Sequence, residues 1–287
     1  MNNRVSITRK AIRAALTTRL QIGYGMEEPI CVYECAERLG VEVKFISAPS
    51  MEGMYASAGS GVVLVSALRH SGRQAYTCAH ELGHHVLGHG SRWDEYLGET
   101  TSVREAPEEW AANRFASYLL MPKQAVLRSF NVRGWKVAEC TADQAVIIAG
   151  ELGVGYTALL RQMELSLGLL SAGVADGLAK IALKRLRAQI IGIESPGQAV
   201  IVDESWTRKA IDIQVGDYVL LPNGIVITGD AVSPSVPAST GILTRGHRPG
   251  IAQARQPGRD WACFIRVSRR EYSGRATFRH LEDPDDQ

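Results

Sequence analysis

The sequence predicts an α+β chain, on three observations. Segments with helical apolar spacing are interleaved with short alternating runs as far as about residue 190. Beyond that point only short β-rich runs remain, divided by Gly, Pro and Asp turns. The composition, 45% hydrophobic and 22% charged, is that of an ordinary globular protein, and 287 residues is a length for roughly two domains.

The elements follow in order. The first twenty residues are basic and form a short lead helix. Met26 to Leu39 carries apolar residues at helical spacing (Ile30, Val32, Cys35, Leu39) and stops at Gly40. Val41 to Ile46 alternates as a strand. Two further strands, Gly53 to Ala58 and Gly61 to Ser66, are joined by Ala58-Gly-Ser-Gly, so a small antiparallel sheet is expected. Helices are predicted over Arg73 to Leu87 and Pro107 to Leu120, with a linker from Gly88 to Ala106 between them. Helices then follow at Gln124 to Phe130, Thr141 to Leu152, Tyr156 to Leu167 and Ala175 to Arg187. Ala199 to Val202, Tyr218 to Leu221, Ile225 to Thr228 and Ala262 to Val267 are the β runs of a C-terminal all-β domain. The Pro/Gly/Ser-rich stretch from Asp230 to Arg259 reads as a long loop, and the acidic tail from Glu282 as frayed.

Charge and cysteine content exclude several classes. Lys+Arg 32 against Asp+Glu 30 leaves +2, too balanced for a wholesale binder of nucleic acid or anionic membrane. No apolar run approaches the roughly 20 residues that span a bilayer, and the N-terminus lacks the apolar core of a signal peptide. Five cysteines, an odd number in no dense framework, fit a reducing compartment. A cytoplasmic protein with no membrane partner is expected.

The chemistry-bearing segment is His80-Glu81-Leu82-Gly83-His84, an HExxH motif. On a helix, residues four apart project from one face, so both imidazoles reach one ion, while Glu81 lies one residue round from His80. Two neutral nitrogen donors suit Zn²⁺, and an adjacent carboxylate suits a base that takes the proton of an activated water. A third ligand is sought among His85, His89, Glu99, Glu108 and Glu109. The long pattern with a histidine six residues after the second fails, because that position is Gly90. Glu109 is favoured: it heads Glu109-Trp-Ala-Ala-Asn113, where small Ala111 and Ala112 allow close helix approach and Asn113 stands one turn on to orient a ligand. Glu108 fits better as a solvated acid in a first helical turn.

The two segments together resemble the ImmA/IrrE family of zinc metallopeptidases. Here the second segment reads Glu109-Trp-Ala-Ala-Asn113-Arg-Phe115-Ala116-Ser-Tyr-Leu119-Leu120-Met121-Pro122, and the similarity covers Pro29 to Leu170. The resemblance implies that His80, His84 and Glu109 bind zinc and that Glu81 is the catalytic base. It also implies a protein substrate: members cleave helix-turn-helix repressors at a specific bond. Two features depart from simpler members: no clear helix-turn-helix precedes the motif, and the β-rich region after about residue 190 lies outside the match. The expected division is a lead helix at 1–20, a zinc metallopeptidase domain at 21–135, a helix-turn-helix-like region at 136–189 and a β-rich domain at 190–287.

Candidates to stabilise the oxyanion are His85, His89, Tyr118 and Tyr96, although His85 and His89 read better as partly exposed or core-satisfied histidines, and His70 reads as a loop histidine. Substrate is expected to add as a strand along Gly61, Val62, Val63 and Leu64. Ala145 to Leu159 fits a helix-turn-helix pattern, but the following helix sets Arg161 and Gln162 against Glu164, a poor footing on phosphate. A structural helix pair is therefore expected there, and Lys180, Lys184, Arg185 and Arg187 read as a solvated face. The leading expectation is a site-specific endopeptidase acting on a repressor or an antitoxin-like partner. Two other readings are a toxin-like peptidase neutralised by a cognate partner and a DNA-binding regulator with a structural metal.

Overall fold

Helix α1 (Asn2–Gln21) opens a computed structural model that describes residues 2–57, 59–90, 92–95, 106–194, 198–206 and 210–281. Tyr96, Glu99 and the tail from Glu282 lie outside the described residues. Two units are distinguished: one built from residues within 1–128, 152–154 and 271–277, the other from those within 129–151, 155–270 and 278–287.

In the first unit, α1 is followed by α2 (Val32–Arg38), β1 (Glu42–Ile46), β2 (Met51–Ala56), β3 (Val62–Ser66), α3 (Ser71–Leu87), β4 (Arg92–Glu95) and α4 (Pro107–Leu120). The expected helix from Met26 is shorter at its start, and it closes before Gly40, whose φ of 75° is left-handed. Pro107 occupies the first turn of α4, where a missing N–H costs nothing. Helices α3 and α4 pack against each other, and Ala79 and Leu82 on the first and Ala112, Phe115, Ala116 and Leu119 on the second are all fully buried. Arg19, also fully buried, donates to the carbonyls of Leu119 at 2.5 Å, Gly25 at 2.7 Å and Glu28, tying the end of α1 to the end of α4. Burial lowers its pKa to about 10.

The sheet of this unit runs in the order β13-β1-β3-β2-β4, where β13 is Gly274–Arg275. It corrects two expectations. The sheet is mixed, because β1 and β3 run parallel while β2 is antiparallel to β3. Moreover β3, the strand of Val62, Val63 and Leu64, is paired on both sides, so its backbone groups are already used and no peptide can add there.

The remaining elements are α5 (Lys123–Asn131), α6 (Ala142–Leu152), α7 (Tyr156–Arg161), α8 (Ala172–Ala179) and α9 (Leu183–Ile191). The predicted helix over Tyr156 to Leu167 changes to a π turn at Gln162–Ser166, and that over Ala175 to Arg187 is broken between α8 and α9. The second unit carries two four-stranded sheets, β5-β7-β10-β9 and β6-β12-β11-β8. These are β5 (Ala199–Ile201), β6 (Ile211–Gln214), β7 (Tyr218–Leu221), β8 (Val226–Thr228), β9 (Val236–Ala238), β10 (Gly241–Arg245), β11 (Gly250–Arg255) and β12 (Ala262–Ser268). Three of them, β9 to β11, lie in the stretch read from sequence as a long loop. Trp206, Ile213, Val219, Leu221, Ala252 and Ile265 belong to one apolar cluster in this unit. The Val215-Gly-Asp turn is pinned by Asp217, which accepts from the backbone N–H groups of Gln198 at 3.1 Å and Gln214 at 3.0 Å.

Arg133 holds a buried ionic group in the second unit. Its guanidinium meets Glu151 at 2.8 Å, with both side chains 2% exposed, and grips both oxygens of Asp203. Arg133→Met strands Glu151 in the interior without this cation. The expected loss is about 3–5 kcal/mol, read as a lower urea midpoint; an unchanged midpoint would contradict the assignment.

Candidate metal centre

Helix α3 carries His80, Glu81 and His84, and α4 carries Glu109 in its first turn. The two helices approach closely because Gly83 has no side chain: a Cβ there would stand 3.0 Å from Cα of Ala112 and 3.2 Å from its carbonyl oxygen. Tyr76 adds a polar tie, its hydroxyl 3.0 Å from Ser117 Oγ and donating to the Asn113 carbonyl at 3.3 Å.

The result is a triangle of donor atoms. His80 Nε2 lies 3.1 Å from Glu109 Oε2 and 3.1 Å from His84 Nε2, and His84 Nε2 is 3.5 Å from Glu109 Oε1. Among the described residues this is the one group of three or more His, Cys, Asp or Glu side chains close enough to share an ion. His80 and His84 are buried, whereas the Glu109 side chain is 30% exposed, so solvent reaches the group at Glu109. Hydrogen bonds from His80, then from His84, hold the Glu109 carboxyl well below the usual carboxylate range.

Each imidazole is also supported from behind. His80 Nδ1 meets Asn113 Oδ1 at 3.0 Å. His84 Nδ1 meets His89 Nδ1 at 3.1 Å. The second contact depends on the end of α3. Gly88 takes a left-handed φ of 73°, and the N–H groups of Gly88 and His89 return to the carbonyls of His85 and His84, a Schellman turn. That turn folds His89 back onto the helix it follows. His89, a candidate for the oxyanion by sequence, thus stands against the rear nitrogen of His84.

Glu81 is fully buried beneath β2. A Cβ on Gly53 would fall 2.6 Å from Glu81 Oε1 and 2.5 Å from Cγ2 of Thr77, so only glycine lets the strand sit this close to the carboxylate. Two residues on, the Tyr55 hydroxyl is 2.9 Å from His85 Nδ1, and burial lowers the pKa of His85. His85 is therefore engaged with β2 and stays outside the triangle. Tyr118 lies nine positions beyond Glu109 on α4, about 180° round and about 13.5 Å along an ideal helix, which removes it from the neighbourhood of the ligands. Tyr96 cannot be placed, being outside the described residues.

Gly53, Gly83, Gly88 and Tyr76 were not singled out from sequence. Gly83 was visible as the x of the motif, next to the small Ala111 and Ala112 already noted. Gly53 carried no signal beyond its place at a strand start. No helix among the described residues is long and apolar enough to cross a membrane. Comparison with curated proteins gives no match. Residues 36–164 match the family model of the M78 peptidases, described as the IrrE N-terminal-like domain, a match that supports assigning this stretch to the ImmA/IrrE family.

Proposed function

We propose that the chain is a zinc-dependent, site-specific endopeptidase whose substrate is a regulatory protein, a helix-turn-helix repressor or an antitoxin-like partner. The family match over residues 36–164 supports a metallopeptidase-like activity, and the observation that carries the zinc-dependent reading is the triangle of His80, His84 and Glu109. Tetrahedral zinc with bonds of about 2.0–2.1 Å sets its ligand atoms about 3.3–3.4 Å apart. The separations of 3.1, 3.1 and 3.5 Å bracket that value. Two imidazole nitrogens and one carboxylate oxygen are also the donor set of an open, catalytic site; a structural site takes a fourth protein ligand. That consideration disfavours the reading as a DNA-binding regulator with a closed metal site.

Zinc held there supplies Lewis acidity towards a peptide carbonyl and lowers the pKa of water to about 7. Glu81, one residue round α3 from the ligand His80, takes the proton of the attacking water and passes it to the leaving amine. Asn113 and His89 fix the ring orientations of His80 and His84, which holds the coordinating nitrogens on target. The repressor or antitoxin-like nature of the substrate is supported by the family resemblance. A toxin-like role uses the same chemistry and differs in outcome: growth arrest that requires Glu81.

The test is a trap. Tagged Glu81→Gln is recovered from its host, the retained proteins are identified by mass spectrometry, and each is incubated with the wild type. A DNA-binding regulator cut by the wild type alone is the expected result. Retention of DNA, or of a protein that the wild type never cuts, would overturn the reading.

A further inference from the structure

The topology around α3 shows what occupies the edge of the sheet nearest the metal centre. Successive helical residues are about 100° apart. Measured from His80, His84 lies about 40° round and Thr77 and Glu81 about 60° and 100° in the same sense. These last two are the residues against Gly53 of β2. Gln74 and His85 lie further on, about 120° and 140°, and they meet Ser66 at the end of β3 and Gly61 just before it. Tyr76 and Gly83, the contacts to α4, lie on the opposite side of His80, about 40° and 60° away. Round the helix the order is therefore α4, the ligand face, β2 and β3. Because β3 lies beyond β2 on the side away from the ligands, the strand on the other flank of β2 is directed over the ligand face. That strand is β4.

We infer that β4 is the chain's own occupant of the peptide-binding edge of β2, and that an extended substrate reaches the metal centre by displacing it. The inference rests on the peptidase reading and extends it to how the site is regulated. β4 pairs antiparallel with β2 through Met51↔Glu95, Gly53↔Asp94, Met54↔Trp93 and Tyr55↔Arg92. Its partner positions thus centre on Gly53, the residue directly above Glu81. An extended peptide adding to the same edge uses the same backbone donors and acceptors of β2, so the two compete for one set of hydrogen bonds. β4 is only four residues long, and its pairing with β2 shifts register between Met51 and Gly53. Four residues give β4 few ladder hydrogen bonds to β2, so a peptide forming a longer ladder can replace it.

The test uses the full chain in the Glu81→Gln background, so that binding is read without turnover. In one variant, residues 92–95 are replaced by Gly-Ser-Gly-Ser. In a second, Met54→Cys and Trp93→Cys place thiols at partnered positions, whose antiparallel Cα separation of about 4.5–5.5 Å suits a disulfide. The probe is fluorescein-labelled β-casein, serving as a generic unfolded chain, and the readout is anisotropy. The replacement is expected to bind at least about tenfold tighter than its parent. The oxidised lock is expected to bind at least about tenfold more weakly than the same protein after reduction, which also controls for misfolding. Equal affinities across all forms, whether every form binds or none does, would overturn the inference. Cleavage is scored separately with Glu81 restored. A lock that leaves binding unchanged in a cleaving enzyme sinks this inference alone, whereas a lock that gates binding in a chain that cuts nothing sinks the peptidase reading alone.

Discussion

Glu81→Gln is expected to lower the rate of substrate cleavage by about 10²–10⁴-fold, the range that a positioned general acid–base supplies, while metal content stays at the wild-type level. The two effects separate because Glu81 is not in the triangle: His80 and His84 meet Glu109, and Glu81 faces β2 one residue round the helix. Gln preserves volume and removes the basic oxygen, so packing beneath Gly53 is kept. The measurement pairs single-turnover cleavage with metal analysis of the same preparation. Activity within tenfold of wild type would show that Glu81 is not the base, and loss of the metal would show that it belongs to the ligand set.

Gly53→Ala has the second largest expected effect. The new methyl would lie 2.5 Å from Cγ2 of Thr77 and 2.6 Å from Glu81 Oε1, inside any real contact distance, so β2 and α3 must separate or the carboxylate must turn. A displacement of about 1 Å at a catalytic group costs about 10²-fold in rate, and overpacking of this kind costs about 1–3 kcal/mol of stability. Metal binding is expected to survive, because the ligands lie on the α4 side of Glu81. Thr77→Ser removes one of the two clashing groups. In combination with Gly53→Ala it should recover part of the melting temperature and leave most of the activity loss, since the contact with Glu81 persists. Equal recovery of both would place the effect in packing alone.

Much of the metal centre was legible in the sequence because its determinants are local. The spacing of His80 and His84 fixes a shared helical face, Pro107 marks the first turn of α4, and Ala111 and Ala112 announce close helix packing. The supports were less visible, since each needs a partner far along the chain. Gly53 matters only because β2 crosses Glu81, twenty-eight positions later, and His89 turns inward only because Gly88 adopts a left-handed conformation. The fold followed the same division. Helices with continuous apolar spacing were readable, with ends that moved by a few residues. The strands β9 to β11 were hidden in a stretch rich in Pro and Gly, where composition spoke for a loop and non-local pairing decided otherwise. β13 pairs with β1 across more than two hundred residues, a partnership no local pattern encodes.

The claim on which the rest depends is that His80, His84 and Glu109 hold the ion that the reaction needs. Its most direct test is zinc titration calorimetry on metal-stripped protein, comparing wild type, Glu81→Gln and the double variant His80→Ala/His84→Ala, with circular dichroism to confirm that each is folded. The account predicts one tight zinc site per chain in the wild type and in Glu81→Gln, and none in the folded double variant. Tight binding of one zinc by the double variant, or no tight site in the wild type, would contradict it.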